Sequence, residues 1–311
     1  MKKTYITIFL AIILVLTLSS CVAEIEEHTV TFVHGNGESD TTLTAFTYGY
    51  VAKPDDPIRE NYIFCGWYTD KDYERPYDFY DSVRSDLKLY AKWIPDYAKI
   101  TNEVMSEVMS ANVKLKITHV KNVFGQGSEY ATGSGVIFKR AGKVYYALTN
   151  NHVVESEGSA LATTVTVADI YGNESAAEVL YKSAKYDLAI IRFNSNSDLT
   201  ALEIKDNTVS ESEPVITLGN PNGQINAVTY GKIVDLEAIT KDNYTATSKV
   251  EFAVYWHTAE ISHGSSGGAL LDLDYNIIGI NYAVSADKDG NFAFGFAVPA
   301  EEILEFLDLF F

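Results

Sequence analysis

His263-Gly264-Ser265-Ser266-Gly267-Gly268-Ala269-Leu270 places a serine inside a frame of glycines, directly before an apolar run. A serine hydroxyl is a poor nucleophile until a base takes its proton, and an oxyanion formed beside it must meet preorganised donors. Glycine permits both. Gly264 lets the chain turn so that its own N–H and that of Ser266 face one spot beside the hydroxyl. Gly267 and Gly268 keep side-chain bulk away from the same spot. Taken alone the stretch is also ordinary loop composition, because Gly and Ser cluster in loops.

Two upstream segments decide between these readings. Ala147-Leu148-Thr149-Asn150-Asn151-His152-Val153-Val154 is an apolar strand running into a short polar turn that carries a histidine. Tyr186-Asp187-Leu188-Ala189-Ile190-Ile191-Arg192-Phe193 sets an aspartate at the mouth of another apolar strand. Each has a bland alternative: a half-buried loop histidine, or a solvated carboxylate that starts a strand. Together they stand in the chain order His152, Asp187, Ser266, that of chymotrypsin-type enzymes and not of subtilisins or α/β-hydrolases. Their spacing suits one β-barrel that supplies the base and its orienter and a second that supplies the nucleophile. His28, His34, His119, His257 and His263 lack such a context. His263 lies too close to Ser266 along a tight loop to reach the hydroxyl, and is expected at the rim.

On these residues the chain resembles the HtrA/Deg branch of the trypsin-like serine proteases. Gly133-Ser134-Gly135-Val136-Ile137, Leu218-Gly219-Asn220-Pro221-Asn222-Gly223 and Phe294-Gly295-Phe296-Ala297-Val298-Pro299 fit that branch, and the likeness covers roughly residues 100–310. The resemblance implies a mostly β, chymotrypsin-like double β-barrel with a closing C-terminal helix. It also implies a serine endopeptidase with His152 as base, Asp187 as its orienter and Ser266 as nucleophile. The N–H groups of Gly264 and Ser266 would form the oxyanion hole, and Asn281-Tyr282-Ala283 would pair with a substrate backbone as an added strand. No metal or organic cofactor is needed for this chemistry, and no ligand cluster for one is visible. A PDZ domain commonly follows the closing helix in this branch, and the sequence leaves no room for it. The residue before the nucleophile is Ser265, so a trypsin-like switch, in which a new N-terminus pairs with an aspartate there, has no acceptor. A different class of protein is compatible with the same fold: a catalytically idle binding or adhesion lipoprotein.

The beginning of the chain speaks to location. Lys2 and Lys3 precede an apolar run from about Ile6 to Leu18, then Leu18-Ser19-Ser20-Cys21. Such a segment is a secretory signal, too short for a membrane span, and its ending resembles a bacterial lipobox in which Cys21 is lipidated. The alternative is an ordinary signal peptide with an incidental cysteine. The lipobox reading anchors the protein to the outer face of the bacterial membrane. It leaves Cys65 as the only other thiol, so no intramolecular disulfide is expected. Cys65 has no histidine near it in sequence and is expected to be a small buried residue.

The net charge is −18. Residues 22–97 hold 7 basic and 15 acidic side chains and residues 98–311 hold 15 and 27, so the acidity is shared by both halves. It excludes nucleic acid as a partner on electrostatic grounds and favours solubility. It does not select a substrate.

The expected organisation is a signal peptide at 1–20, a tether at 21–28, a small domain at 29–93, a linker and short helix at 94–111, and the protease-like domain at 112–311. Thr29-Val30-Thr31-Phe32-Val33 and Leu87-Lys88-Leu89-Tyr90-Ala91-Lys92-Trp93 alternate like half-buried strands. With Gly66-Trp67-Tyr68 they resemble the β-grasp-like Listeria–Bacteroides repeat of Gram-positive surface proteins, which implies a cell-wall or surface partner. Trp67 and Trp93 are expected in the core of that small domain, though they could form a carbohydrate platform. Val104 with Val108 and Met105 with Met109 stand at helical spacing, predicting a short amphipathic helix over 100–111 on the first barrel.

Overall fold

The computed structural model describes residues 26–121, 129–156, 160–206, 209–224, 226–238 and 250–310. The signal segment and Cys21 lie outside the described residues. The chain divides between Asp96 and Tyr97 into two compact units.

The N-terminal unit is one sheet of β1 (Glu27–Val33), β2 (Thr41–Phe46), β3 (Tyr62–Tyr68) and β4 (Leu87–Pro95) in the order β2-β1-β4-β3. The central pair β1 and β4 is parallel and the outer pairs are antiparallel. Alternation along β1 and β4 buries Val30, Phe32, Leu89 and Ala91 on one face, as the period of two requires. Trp67 is buried edge-on against Phe32 at 4.9 Å, and Trp93 packs against Phe64 with its indole N–H donated to the carbonyl of His34. Both tryptophans therefore belong to the core. Cys65 is half-buried, its thiol turned to the Ile63 carbonyl, because Gly66 at φ +105 bulges the strand there. Residues 47–61 connect β2 to β3 by turns and extended chain, without a helix.

The C-terminal unit opens with α1 (Tyr97–Glu103), a wider π turn over Val104–Val108 and a 3₁₀ turn over Met109–Ala111. Val104 and Val108 are buried together as their spacing predicts, but the change of helical period separates Met109, which is buried, from Met105, which is exposed. The segment also does not rest on the first barrel alone. Thr101 and Glu103 bond Tyr230 and Tyr275 of the second barrel, while Ser110 bonds Thr200 between the two.

The first barrel closes in the order β10-β7-β6-β5-β8-β9, from β5 (Asn112–Val120), β6 (Glu129–Ala141), β7 (Val144–Thr149), β8 (Ala162–Ala168), β9 (Glu174–Ser183) and β10 (Leu188–Asn194). Inward residues of these strands fill it: Leu115, Ile117, Ile137, Tyr145, Ile191 and Phe193 are all buried. The second barrel closes as β11-β12-β13-β16-β15-β14, from β11 (Pro214–Gly219), β12 (Ala227–Ala238), β13 (Ala253–His257), β14 (Ala269–Leu271), β15 (Ile277–Ala286) and β16 (Phe292–Pro299). Between β7 and β8 lies α2 (Asn151–Val154), a single turn, and after β16 comes α3 (Ala300–Asp308). Pro299 caps α3, Glu301 and Glu302 occupy its positive first turn, and Ile303 and Phe306 are buried, an arrangement that the helix dipole favours. The expected double barrel with its closing helix is thus the architecture found. Among the described residues no helix is long and apolar enough to cross a membrane.

Candidate active site

His152 sits in α2, at the end of strand β7, where the chain leaves the first barrel. Asp187 occupies the turn between β9 and β10 in the left-handed region, φ +49. Aspartate is one of the few residues that tolerates that conformation. Its backbone carbonyl accepts the Asn151 N–H at 3.1 Å and the Asn150 side-chain amide at 2.9 Å. Its carboxylate accepts the His152 backbone N–H through Oδ1 at 2.9 Å and the ring Nδ1–H through Oδ2 at 2.6 Å. The aspartate side chain is 3% exposed and that of His152 31%. A buried carboxylate thus holds His152 by two bonds, one to its backbone and one to ring Nδ1, which leaves Nε2 outside the pair.

Ser266 belongs to the loop from β13 to β14 and is half-buried. Two glycines in left-handed backbone shape that loop, Gly264 at φ +95 and Gly267 at φ +85. A Cβ on Gly267 would strike the Ser134 carbonyl and the Thr149 hydroxyl, and one on Gly264 would strike the Asn220 carbonyl. Among the described residues no hydrogen bond engages the N–H of Gly264 or of Ser266. The Ser266 hydroxyl lies 3.5 Å from the Tyr282 carbonyl, beyond a normal O–H···O distance. Among the described residues no hydrogen bond joins this hydroxyl to His152. His263 is exposed at the rim, as expected from its place in the loop.

Of the three residues expected to pair with substrate, only part of the segment faces the serine. Asn281 is fully buried, and its N–H and C=O are bonded to Gly268 and Gly267. Its side chain donates to the Ala269 carbonyl at 3.1 Å and accepts from His257 Nε2 at 3.0 Å. The register of β15 on β16 shifts between Asn281 and Ala283, which sets Tyr282 in a bulge with its carbonyl toward Ser266. Ala283 follows, half-buried. Asn281 supports the loop from inside the barrel, leaving Tyr282 as the residue of the three whose carbonyl meets the serine.

His257 gave no signal in sequence, yet it anchors that support. Burial holds its ring pKa down at about 4 from 6.5, outweighing the hydrogen bond that the ring donates to the Asn281 side-chain oxygen. The unfolded chain takes up a proton at this ring below pH 6.5 and the folded chain only near 4, so stability present above 6.5 is lost as pH falls through that window. The urea midpoint is expected to drop between pH 6.5 and 4 more steeply in the parent than in His257→Gln, whose amide stays neutral. Equal slopes would remove His257 as the cause.

Ser134 and Asn222 also bond the nucleophile loop, and Asn220 bonds Ser134 behind it, although sequence marked their motifs without giving them roles. Ser134 donates its N–H to the Ser266 carbonyl at 2.8 Å and its hydroxyl to the Gly264 carbonyl at 2.7 Å. Asn222 donates its N–H to the His263 carbonyl at 2.6 Å. Among the described residues no cluster of His, Cys, Asp and Glu is arranged to hold a metal ion.

The profile of the trypsin-like peptidase domain matches residues 133–280, and that of the Listeria–Bacteroides repeat domain matches residues 28–92. The chain is 34% identical over 227 residues to the serine protease Do-like HtrB of Bacillus subtilis, covering 68% of this chain and 48% of that one. To the periplasmic serine endoprotease DegP of Escherichia coli it is 33% identical over 183 residues, 58% of this chain and 36% of DegP. An HtrA-type protease, AlgW, solved with a tripeptide, aligns with a TM-score of 0.53 and 28% identity, covering 67% of this chain and 62% of that one. The chain thus spans less than half the length of these two curated relatives. The C-terminal unit is a trypsin-like peptidase domain related to the DegP and HtrA serine proteases, and the N-terminal unit carries a Listeria–Bacteroides repeat.

Proposed function

We propose that the protein is a serine endopeptidase that cleaves polypeptides through an acyl-enzyme. The observation that carries this reading is the His152–Asp187 pair, locked by two carboxylate bonds, beside a serine loop with two unengaged N–H groups. In this mechanism Asp187 holds the His152 tautomer and stabilises the imidazolium. His152 takes the Ser266 proton as the hydroxyl attacks, then gives it to the leaving amine. The Gly264 and Ser266 N–H groups receive the oxyanion, where a lost donor typically costs about 10²–10³ in rate. A substrate strand lies along β15 at Tyr282 and Ala283, its register fixed by the Tyr282 carbonyl. A fluorophosphonate probe tests the reading. Covalent labelling of Ser266 with cleavage of an unfolded protein supports it. An unlabelled, inert protein would favour a binding role for the fold.

The functional organisation follows the boundaries read from sequence: signal 1–20, tether 21–28, repeat domain 29–93, linker 94–111 and protease domain 112–311. Cys21 carries lipid, anchoring the protease outside the cell, with the repeat domain available to a wall or surface partner. With a net charge of −18 the chain is repelled by anionic headgroups, so attachment has to come from acyl chains, at about 0.8 kcal/mol per buried methylene. Mass spectrometry of the membrane-bound protein is expected to show a diacylglyceryl peptide beginning at Cys21. A mature chain with an unmodified thiol there would overturn the anchor.

A further inference from the structure

We infer that Ser134 and the backbone N–H of Asn222 are positioning groups that set the oxyanion-binding conformation of the nucleophile loop. The inference rests on the endopeptidase reading of that loop. Gly264 stands between two peptide planes, and its N–H belongs to the plane shared with His263. In a trans peptide the N–H points opposite to the C=O. Holding the His263 carbonyl on Asn222 at 2.6 Å therefore turns the Gly264 N–H away from that turn. The next plane is held at both ends: the Gly264 carbonyl accepts the Ser134 hydroxyl at 2.7 Å, and the Ser265 N–H is donated to the Ser262 carbonyl at 2.9 Å.

Nothing local selects this geometry. Glycine populates positive and negative φ about equally, so the +95° of Gly264 needs partners elsewhere in the fold. Ser134 is well placed to be one. Its oxygen accepts the Asn220 backbone N–H at 2.8 Å and the Asn220 side-chain amide at 3.1 Å, which directs its single proton to Gly264. Its own carbonyl accepts the Thr149 hydroxyl at 2.7 Å, three residues before His152. Ser134 is fully buried on β6, so one residue of the first barrel joins the base-bearing strand to the oxyanion loop of the second. Asn222, two residues after Asn220, adopts φ +50 to aim its N–H. Asparagine tolerates that angle, whereas β-branched residues do not.

The test uses the full chain, steady-state cleavage of a peptide, and inhibition by a peptide boronate, whose tetrahedral adduct puts an oxygen in the hole. Ser134→Ala is expected to lower kcat and boronate affinity together by about 10- to 100-fold, below the full effect of losing a donor. KM is expected to stay within about threefold. Asn222→Val, which opposes the left-handed angle, is expected to behave alike, and Asn222→Gly, which permits the angle and keeps the N–H, to recover kcat. Thermal unfolding identifies a variant that fails to fold; if Ser134→Ala is one, the Val and Gly pair at Asn222 decides. An active parent with unchanged kcat and boronate affinity in Ser134→Ala and Asn222→Val overturns the inference and leaves the endopeptidase reading standing. A loss confined to KM or to thermal stability also overturns it. A parent that is neither labelled nor active overturns the endopeptidase reading itself, and this inference with it.

Discussion

Ser266→Ala is expected to abolish peptide cleavage, with a fall in kcat on the order of 10⁶, and to abolish fluorophosphonate labelling. The hydroxyl is the only atom group removed. It is half-buried and makes a single long contact, 3.5 Å to the Tyr282 carbonyl, so the fold has little to lose. The loop is held by backbone bonds that alanine retains, from Ser134 to the Ser266 carbonyl and from Gly267 to Asn281. The thermal midpoint is therefore expected to stay near that of the parent while turnover vanishes. Parental cleavage by the alanine variant would mean that another group carries the reaction.

For Asp187→Asn the expected loss in turnover is about 10⁴, with the fold again retained. The carboxylate uses both oxygens, one on the His152 backbone N–H and one on the ring Nδ1–H. An amide offers one acceptor and one donor. If its oxygen keeps the backbone bond, its NH₂ faces Nδ1 and drives the ring proton to Nε2, the nitrogen that must accept the serine proton. If it turns over, the backbone bond that fixes α2 is lost. Asparagine keeps the left-handed backbone at φ +49 available, so the effect falls on the tautomer rather than on the turn. A loss of less than about tenfold at neutral pH would reduce Asp187 to the opening residue of strand β10.

The two largest effects fall on residues that sequence picked out, and locality is the reason. Each sits in a short signature: an apolar strand with a polar turn for His152, an aspartate before a buried strand for Asp187, a glycine frame for Ser266. The alternation of Val30 with Phe32 and of Leu89 with Ala91 identified the sheet of the small unit in the same way. Where neighbours along the chain did not carry the information, reading failed or stopped short. The 100–111 segment kept its Val104–Val108 pair but lost a single helical period, because its ends are bonded to Tyr230, Tyr275 and Thr200.

The order of the chemical groups was determined by sequence through local motifs, and the double barrel with its closing helix was implied by the family resemblance that those motifs carry. Tertiary structure alone decided what holds the loop. Ser134 reaches Gly264 across 130 positions of chain and Asn220 across 86, and His257 meets Asn281 across 24. Small polar residues such as these look like loop composition or strand filler until their partners are fixed. Those partners depend on how twelve strands register as they close two barrels, and no local propensity sets that register. Asn281 shows the consequence: the family resemblance implied a substrate contact along 281–283, and the bulge at Tyr282 leaves Asn281 buried with its N–H and C=O bonded to Gly268 and Gly267.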